Sequence, residues 1–313
     1  MSTAATSAAQ TITLDDGRRM GFAVFGDPGG RPCLVVHGFS SSRWVAGWAF
    51  SAALLRRHRV RLIAVDRPGY GLSTAHPAGR FTDWAHDASA LAARLGLDRL
   101  AVVGVSMGAA SALALAAARP DLVTGTTILG GMPPVSPGER WAPDSRGDAL
   151  YWRLARHAPW LLRRLCQATA ATTAAMSGGS TGGSAGDDRV DALVRRVERG
   201  LSPADAQVFR ELLADAGTRS AFAADVRESC RQGGAAMAED LRRHLRPWGF
   251  EPADVAVPVR LWHGTEDPKV PVALARGLAR RLPRVDARFV PGGHFAAFAH
   301  QDELVSALAT EPA

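Results

Sequence analysis

Residues 100–118 constrain this chain more than any other stretch. They read LAVVGV, then Ser106-Met107, then GAASALALAAA. The opening run is apolar and rich in β-branched side chains, which suits a parallel strand covered on both faces. The Ala/Leu tract has high helix propensity and stops at Arg119-Pro120, because a residue before proline is pushed out of helical backbone. Strand therefore passes into a helix expected over 107–118 with almost no loop. So sharp a turn strains the backbone at its apex, and its neighbours must be small. Gly104 and Gly108 meet that need. A chain built around such a unit is α/β, with helix N-termini gathered at the C-terminal edge of a sheet.

The remaining pattern agrees. Strands are predicted at 11–14, 21–25, 33–37, 61–66, 123–129, 259–263 and 286–290, in addition to LAVVGV. Helices are predicted over 81–95, with Thr82 or Asp83 able to cap, over 272–281, and at the C-terminus. Strand–helix–strand repetition implies right-handed crossovers and a doubly wound sheet. Between 132 and 250 nothing reads as a strand. Helical patterns occupy 147–167 and 220–245, the latter interrupted near Gly233-Gly234, and another starts at Ser202-Pro203-Ala204-Asp205, where Ser202 is an N-cap. Residues 177–188, SGGSTGGSAGDD, are low-complexity and predicted as a loop. The expected organisation is an α/β core, 1–131 and 251–313, interrupted by a helical cap, 132–250.

Composition narrows the partners. The formal charge is +7 and the pI about 10.4, which would suit a polyanion-binding surface. Of the basic residues, however, Lys269 alone is lysine, and the arginines are spread along the chain in pairs. That bias fits a GC-rich coding background better than a selected patch, so nucleic acid is not an expected partner. Three cysteines, Cys33, Cys166 and Cys230, form no CxxC spacing and suit a reducing compartment. The start, MSTAATSAAQ, has neither a basic nor an apolar signal segment, and no apolar run reaches the ~18–20 residues of a membrane span. A cytoplasmic protein without a membrane partner is the expectation.

The chemistry centres on Gly104-Val105-Ser106-Met107-Gly108. In its strand–turn–helix context it reads as a nucleophile elbow, with the Ser106 hydroxyl exposed at the sheet edge and the Met107 N–H aimed where an oxyanion would form. His37-Gly38-Phe39-Ser40 leaves the sheet beside it, and the Phe39 N–H is the second oxyanion donor expected. His37 itself reads as structural. A general base should follow a late core strand. His294, in Pro291-Gly292-Gly293-His294-Phe295, does so, whereas its competitor His300 falls in the final helix pattern. The orienting acid should end the preceding strand, where His263-Gly264-Thr265-Glu266-Asp267-Pro268 offers Asp267, with Glu266 as a near rival. Ser106, Asp267 and His294 then form a triad in the chain order of one convergent solution.

On these motifs the chain resembles the α/β-hydrolase superfamily, in its serine-hydrolase, esterase-like branch, from about residue 11 to the end. Asp66-Arg67-Pro68-Gly69-Tyr70-Gly71-Leu72-Ser73 also resembles the loop after the fourth strand in that family, and is expected to shape the site wall. The resemblance implies a mostly parallel eight-stranded sheet, a helical cap after the sixth strand, and no metal or organic cofactor. It implies hydrolysis of a carboxylic ester or related acyl compound through an acyl-enzyme. Acyl transfer and C–C bond hydrolysis use the same triad and stay open, as does a ligand-binding protein without turnover. Serine in place of aspartate at the elbow separates the chain from the haloalkane dehalogenase and epoxide hydrolase branches. The expected partner is a small molecule with an apolar acyl or alcohol part. Ser40, Met132, Trp141, Trp152, Trp160 and Phe295 are candidates to bind it, and Trp248 a further one, although such tryptophans more often pack helices together.

Overall fold

The computed structural model describes residues 8–77, 79–134, 142–177 and 184–310. Eight strands form one sheet: β1 (Gln10–Thr13), β2 (Arg19–Gly26), β3 (Arg31–Val36), β4 (Val60–Val65), β5 (Leu100–Val105), β6 (Val123–Leu129), β7 (Val259–Gly264) and β8 (Val285–Val290). Their spatial order is β1-β2-β4-β3-β5-β6-β7-β8. The first two strands pair antiparallel, β2 also runs antiparallel to β4, and every later pairing is parallel.

Alternation along the central strands builds two cores. Leu34, Val36, Ile63, Val65 and Val102 point to one face, where they meet Trp84, Leu91, Leu113 and Leu115. Those come from α3 (Phe81–Arg94) and α4 (Gly108–Ala118), and α11 (Val272–Arg281) adds Leu278. Val35, Leu62, Ala64, Ala101 and Val103 point to the other face. There α1 (Val45–Ala49), α2 (Ala52–Arg57) and α12 (Gln301–Thr310) supply Trp48, Leu55 and Leu304. Both faces being covered is why these strands carry almost no polar residues. α3 opens with the Asp83 carboxylate accepting the Arg80 N–H at 2.8 Å, so Asp83 works from inside the first turn.

Between β6 and β7 the described residues form six α-helices, α5 (Arg146–His157), α6 (Pro159–Ser177), α7 (Ser184–Glu198), α8 (Pro203–Leu212), α9 (Ala216–Ser229) and α10 (Ala235–His244), and a 3₁₀ turn at Pro252–Asp254. The single helix expected over 147–167 is two, broken at Ala158-Pro159, where the proline ring forbids continuation. The loop expected at 177–188 is helical at both ends, since α6 reaches Ser177 and α7 begins at Ser184; residues 178–183 lie outside the described residues. Ser202 caps α8 as expected, accepting the Asp205 N–H at 3.2 Å. The insert has its own core, in which Trp152, Leu162, Cys166, Met237 and Leu241 pack with Tyr70, Met107 and Met132. All three cysteines are buried free thiols. No helix among the described residues is long and apolar enough to cross a membrane.

Candidate active site

Ser106 sits where β5 hands over to α4, with φ at +51°, in the left-handed region that L-residues rarely occupy. Such a residue stores about 1–3 kcal/mol of strain and persists only where surrounding bonds hold it. Here its N–H donates to the Leu129 carbonyl at 2.9 Å, and its carbonyl accepts from Ala109 and Met132 N–H, each at 3.1 Å. A Cβ on Gly104 would lie 2.7 Å from the Ala109 Cα, and one on Gly108 would lie 2.2 Å from the Val36 carbonyl oxygen. Glycine at both positions lets strand, turn and helix close to this distance.

Opposite the serine stands His294, after β8. Its Nδ1 donates to Asp267 Oδ2 at 2.7 Å, and its Nε2 lies 3.0 Å from Ser106 Oγ. An ionised carboxylate can only accept, so Nδ1 carries the proton and Nε2 is free to accept the serine O–H. Asp267 is buried at the end of β7, and its other oxygen accepts from Lys269 and Val270 N–H at 2.8 and 3.0 Å. Burial works against its ionisation, but neighbouring His294, the hydrogen bonds from His294 and the Val270 N–H, and His263 outweigh it and hold the carboxyl below its ordinary range. Glu266, the rival acid, is exposed. His300 is exposed against Trp262, and closes a 3₁₀ turn, Ala296–His300, instead of lying in the last helix.

The loop after β3 supplies the facing wall. The N–H groups of Phe39 and Met107 have no hydrogen-bond acceptor among the described residues, and both residues line the cavity that holds Ser106. His37 stays behind this wall. Its Nε2 accepts the Arg67 N–H at 3.0 Å, so Nδ1 is protonated and donates to the Gly38 carbonyl at 2.8 Å. Burial, with Arg67 nearby, depresses its pKa far below the usual histidine range and keeps it neutral. Arg67 also donates to the Gly38 carbonyl at 2.8 Å and pairs with buried Asp240 on α10 at 2.7 Å. Arg43 joins Asp66 at 2.5 Å and Glu228 on α9 at 2.8 Å. The segment 66–73 therefore buttresses the loop from behind; none of its residues lines the cavity, contrary to the expectation that it shapes the wall.

The cavity measures about 550 Å³ and lies between the sheet edge and the insert. Ser40, Met132, Trp152 and Phe295 line it as expected. Trp160 does not: it stands at the start of α6 with 70% of its surface exposed. Trp248 is buried against Phe81 and His244 on the core side. Trp141 lies outside the described residues. Among the lining residues that escaped sequence reasoning are Trp48, Phe209, Phe222 and Asp225. The paired tryptophans Trp44 and Trp48, four apart after the HGFS turn, were the available signal. No cluster of His, Cys, Asp or Glu suited to a metal ion occurs among the described residues.

Residues 32–154 match the family described as alpha/beta hydrolase fold. An alpha/beta hydrolase fold protein from Nakamurella multipartita superposes with a TM-score of 0.62 at 24% identity, covering 96% of this chain and 98% of that one. The chain has the α/β-hydrolase fold. Among curated relatives, a probable proline iminopeptidase of Streptomyces coelicolor is 30% identical over 131 residues, 38% of each chain. An (E)-2-((N-methylformamido)methylene)succinate hydrolase of Acinetobacter baylyi is 28% identical over 145 residues, 45% of this chain and 52% of that one. Across the curated relatives it matches, the chain spans between 30% and 52% of their length.

Proposed function

We propose that this α/β-hydrolase-fold protein is a serine hydrolase acting on a carboxylic ester or related acyl compound, with residues 132–250 as its cap. The observation that carries the reading is the row Ser106–His294–Asp267, bonded at 3.0 and 2.7 Å, with Ser106 and His294 open to the cavity. Ser106 Oγ attacks the acyl carbon while His294 Nε2 takes its proton. Asp267 holds the imidazole tautomer and steadies the imidazolium that forms. The carbonyl oxygen, now anionic, is received by the Phe39 and Met107 N–H groups, which have no other acceptor among the described residues. Collapse expels the alcohol or other leaving group, protonated by His294. Water, deprotonated by the same nitrogen, then releases the acid and restores Ser106. The apolar lining from Trp48, Met132, Trp152, Phe209 and Phe222 suits an apolar acyl or alcohol part. Similarity to segments of proteins named as a hydrolase and a peptidase is in keeping with acyl chemistry.

The test is covalent labelling. A fluorophosphonate should modify one site, Ser106, and Ser106→Ala should abolish both labelling and turnover of nitrophenyl esters. Folded protein that is not labelled, or labelling that persists in Ser106→Ala, refutes the assignment.

A further inference from the structure

The insert does more than cover the cavity. Two of its carboxylates, each almost wholly buried, reach into the two loops that the proposed mechanism depends on. Asp205, in the first turn of α8, accepts the Phe295 N–H on Oδ1 at 2.7 Å, one residue beyond His294. Its other oxygen accepts from the Ser202 hydroxyl at 3.0 Å. The fit is close: a Cβ on Gly293 would stand 2.2 Å from Asp205 Oδ2, so glycine is what lets the carboxylate approach the histidine loop. Asp225, on α9, grips the loop after β3. It accepts from the Ser42 N–H at 2.7 Å, the Ser42 hydroxyl at 2.8 Å, the Ser41 hydroxyl at 2.9 Å and the Trp48 indole N–H at 3.0 Å. Around these bonds Phe209 of α8 stacks on Phe295 at 6.1 Å, and Phe222 of α9 meets Trp48 edge-on at 5.3 Å.

We infer that Asp205 and Asp225 are positioning residues. Asp205 sets the reach of His294 toward Ser106, and Asp225 sets the Phe39 N–H of the proposed oxyanion site. The inference rests on the mechanism proposed above. Its physical basis is the steepness of catalysis with geometry: a misplacement of about 1 Å costs on the order of 10²-fold in rate. A buried carboxylate with fixed donors resists such movement better than apolar contact, because its hydrogen bonds are directional and charge-assisted. The same residues could equally have been ordinary helix acids. Asp205 occupies the first turn, where an acid complements the helix dipole, but its side chain turns inward to a core loop instead of outward to water.

Turnover per active site separates positioning from mere structural support. Active sites are counted by fluorophosphonate titration, and kcat and KM are measured on a nitrophenyl ester for Asp205→Leu, Asp205→Asn and Asp225→Asn. Asp205→Leu, which removes the acceptor, should lower kcat per titrated site about 30–300-fold while KM moves less than about threefold. Asp205→Asn keeps a neutral acceptor for Phe295 and should recover most of that loss, remaining about 3–10-fold below wild type. Asp225→Asn leaves at least one of its donors unanswered and should fall by about tenfold. Wild-type kcat per titrated site in both Asn variants overturns the inference even if Asp205→Leu does not fold. In that outcome the titration itself, by labelling Ser106, leaves the serine-hydrolase reading standing. Failure of wild-type protein to be titrated overturns both.

Discussion

Adding one methyl group at Gly108 tests how tightly the elbow is built. Its Cβ would sit 2.2 Å from the Val36 carbonyl oxygen and 2.6 Å from that of His37, both backbone atoms at the end of β3. Neither can rotate away, and β3 is locked in parallel register between β4 and β5. Relief requires the start of α4 to retreat by about 1 Å, a displacement that typically costs on the order of 10²-fold in rate when it reaches a reacting group. Ser106 and Met107 must move with it, away from His294 and from Phe39. Overpacking of this kind also costs about 1–3 kcal/mol of stability. Gly277, inside α11, is the matched control: its added Cβ would meet nothing closer than 3.9 Å, so Gly277→Ala should stabilise by about 0.5–1 kcal/mol through helix propensity. The assays are urea denaturation and the second-order rate of fluorophosphonate labelling. Gly108→Ala should lose about 1–3 kcal/mol and react about 100-fold more slowly. Unchanged stability with labelling within twofold of wild type would refute the steric argument.

Three further outcomes follow from the buried groups and the cavity lining. Burial depresses His37, His244 and His263, His244 to about 4. Between its folded value and the ordinary 6.5 the unfolded chain binds the extra proton, so stability should rise with pH up to about 6.5, by at most about 1.4 kcal/mol per unit for each histidine. Asp225, raised to about 6 by burial, opposes this below pH 6; His244→Phe should therefore flatten the rise in urea stability between pH 5 and 6.5. Arg67→Leu strips a partner from buried Asp240 and a donor from the Gly38 carbonyl, and should cost about 3–5 kcal/mol in the same assay, partly restored by Asp240→Asn. Trp160→Ala should leave KM for nitrophenyl esters unchanged, while Trp152→Ala, which opens the cavity lining, should change KM for the longer chains.

The sheet and the elbow were legible because they obey short-range rules. The central strands, β3 to β7, are largely apolar or β-branched runs with near-continuous burial, and Ser106 is marked by glycines that local sterics demand. His294 and Asp267 could be placed because each directly follows a strand. The insert was less transparent for two reasons. Helical periodicity shows that a face is apolar but not which partner it meets, so Trp160 and Trp152, similar in sequence terms, ended on solvent and cavity respectively. Buried carboxylates were the harder case. Asp205, Asp225 and Asp240 acquire their burial from Phe295, Ser41–Ser42 and Arg67, far away in sequence, and nothing local distinguishes them from surface acids. The break at Ala158-Pro159, by contrast, carried a local signal, the proline, that the expectation of one helix over 147–167 passed over.

The ion pairs that tie α9 and α10 to the core, Glu228 with Arg43 and Asp240 with Arg67, bear on how the insert can part from the sheet. Lifting the whole insert as a rigid body would separate both pairs. At about 3–5 kcal/mol for each broken pair, such a state would be populated less than about once in 10⁴ molecules. The α5 side is fastened differently: its ion pair, Asp148 with Lys269, lies at the rim with both side chains about one-third exposed, and such pairs are worth about 1 kcal/mol or less. By these pairs the cavity's rim is held less firmly on the α5 side than where α9 and α10 are fastened to the core.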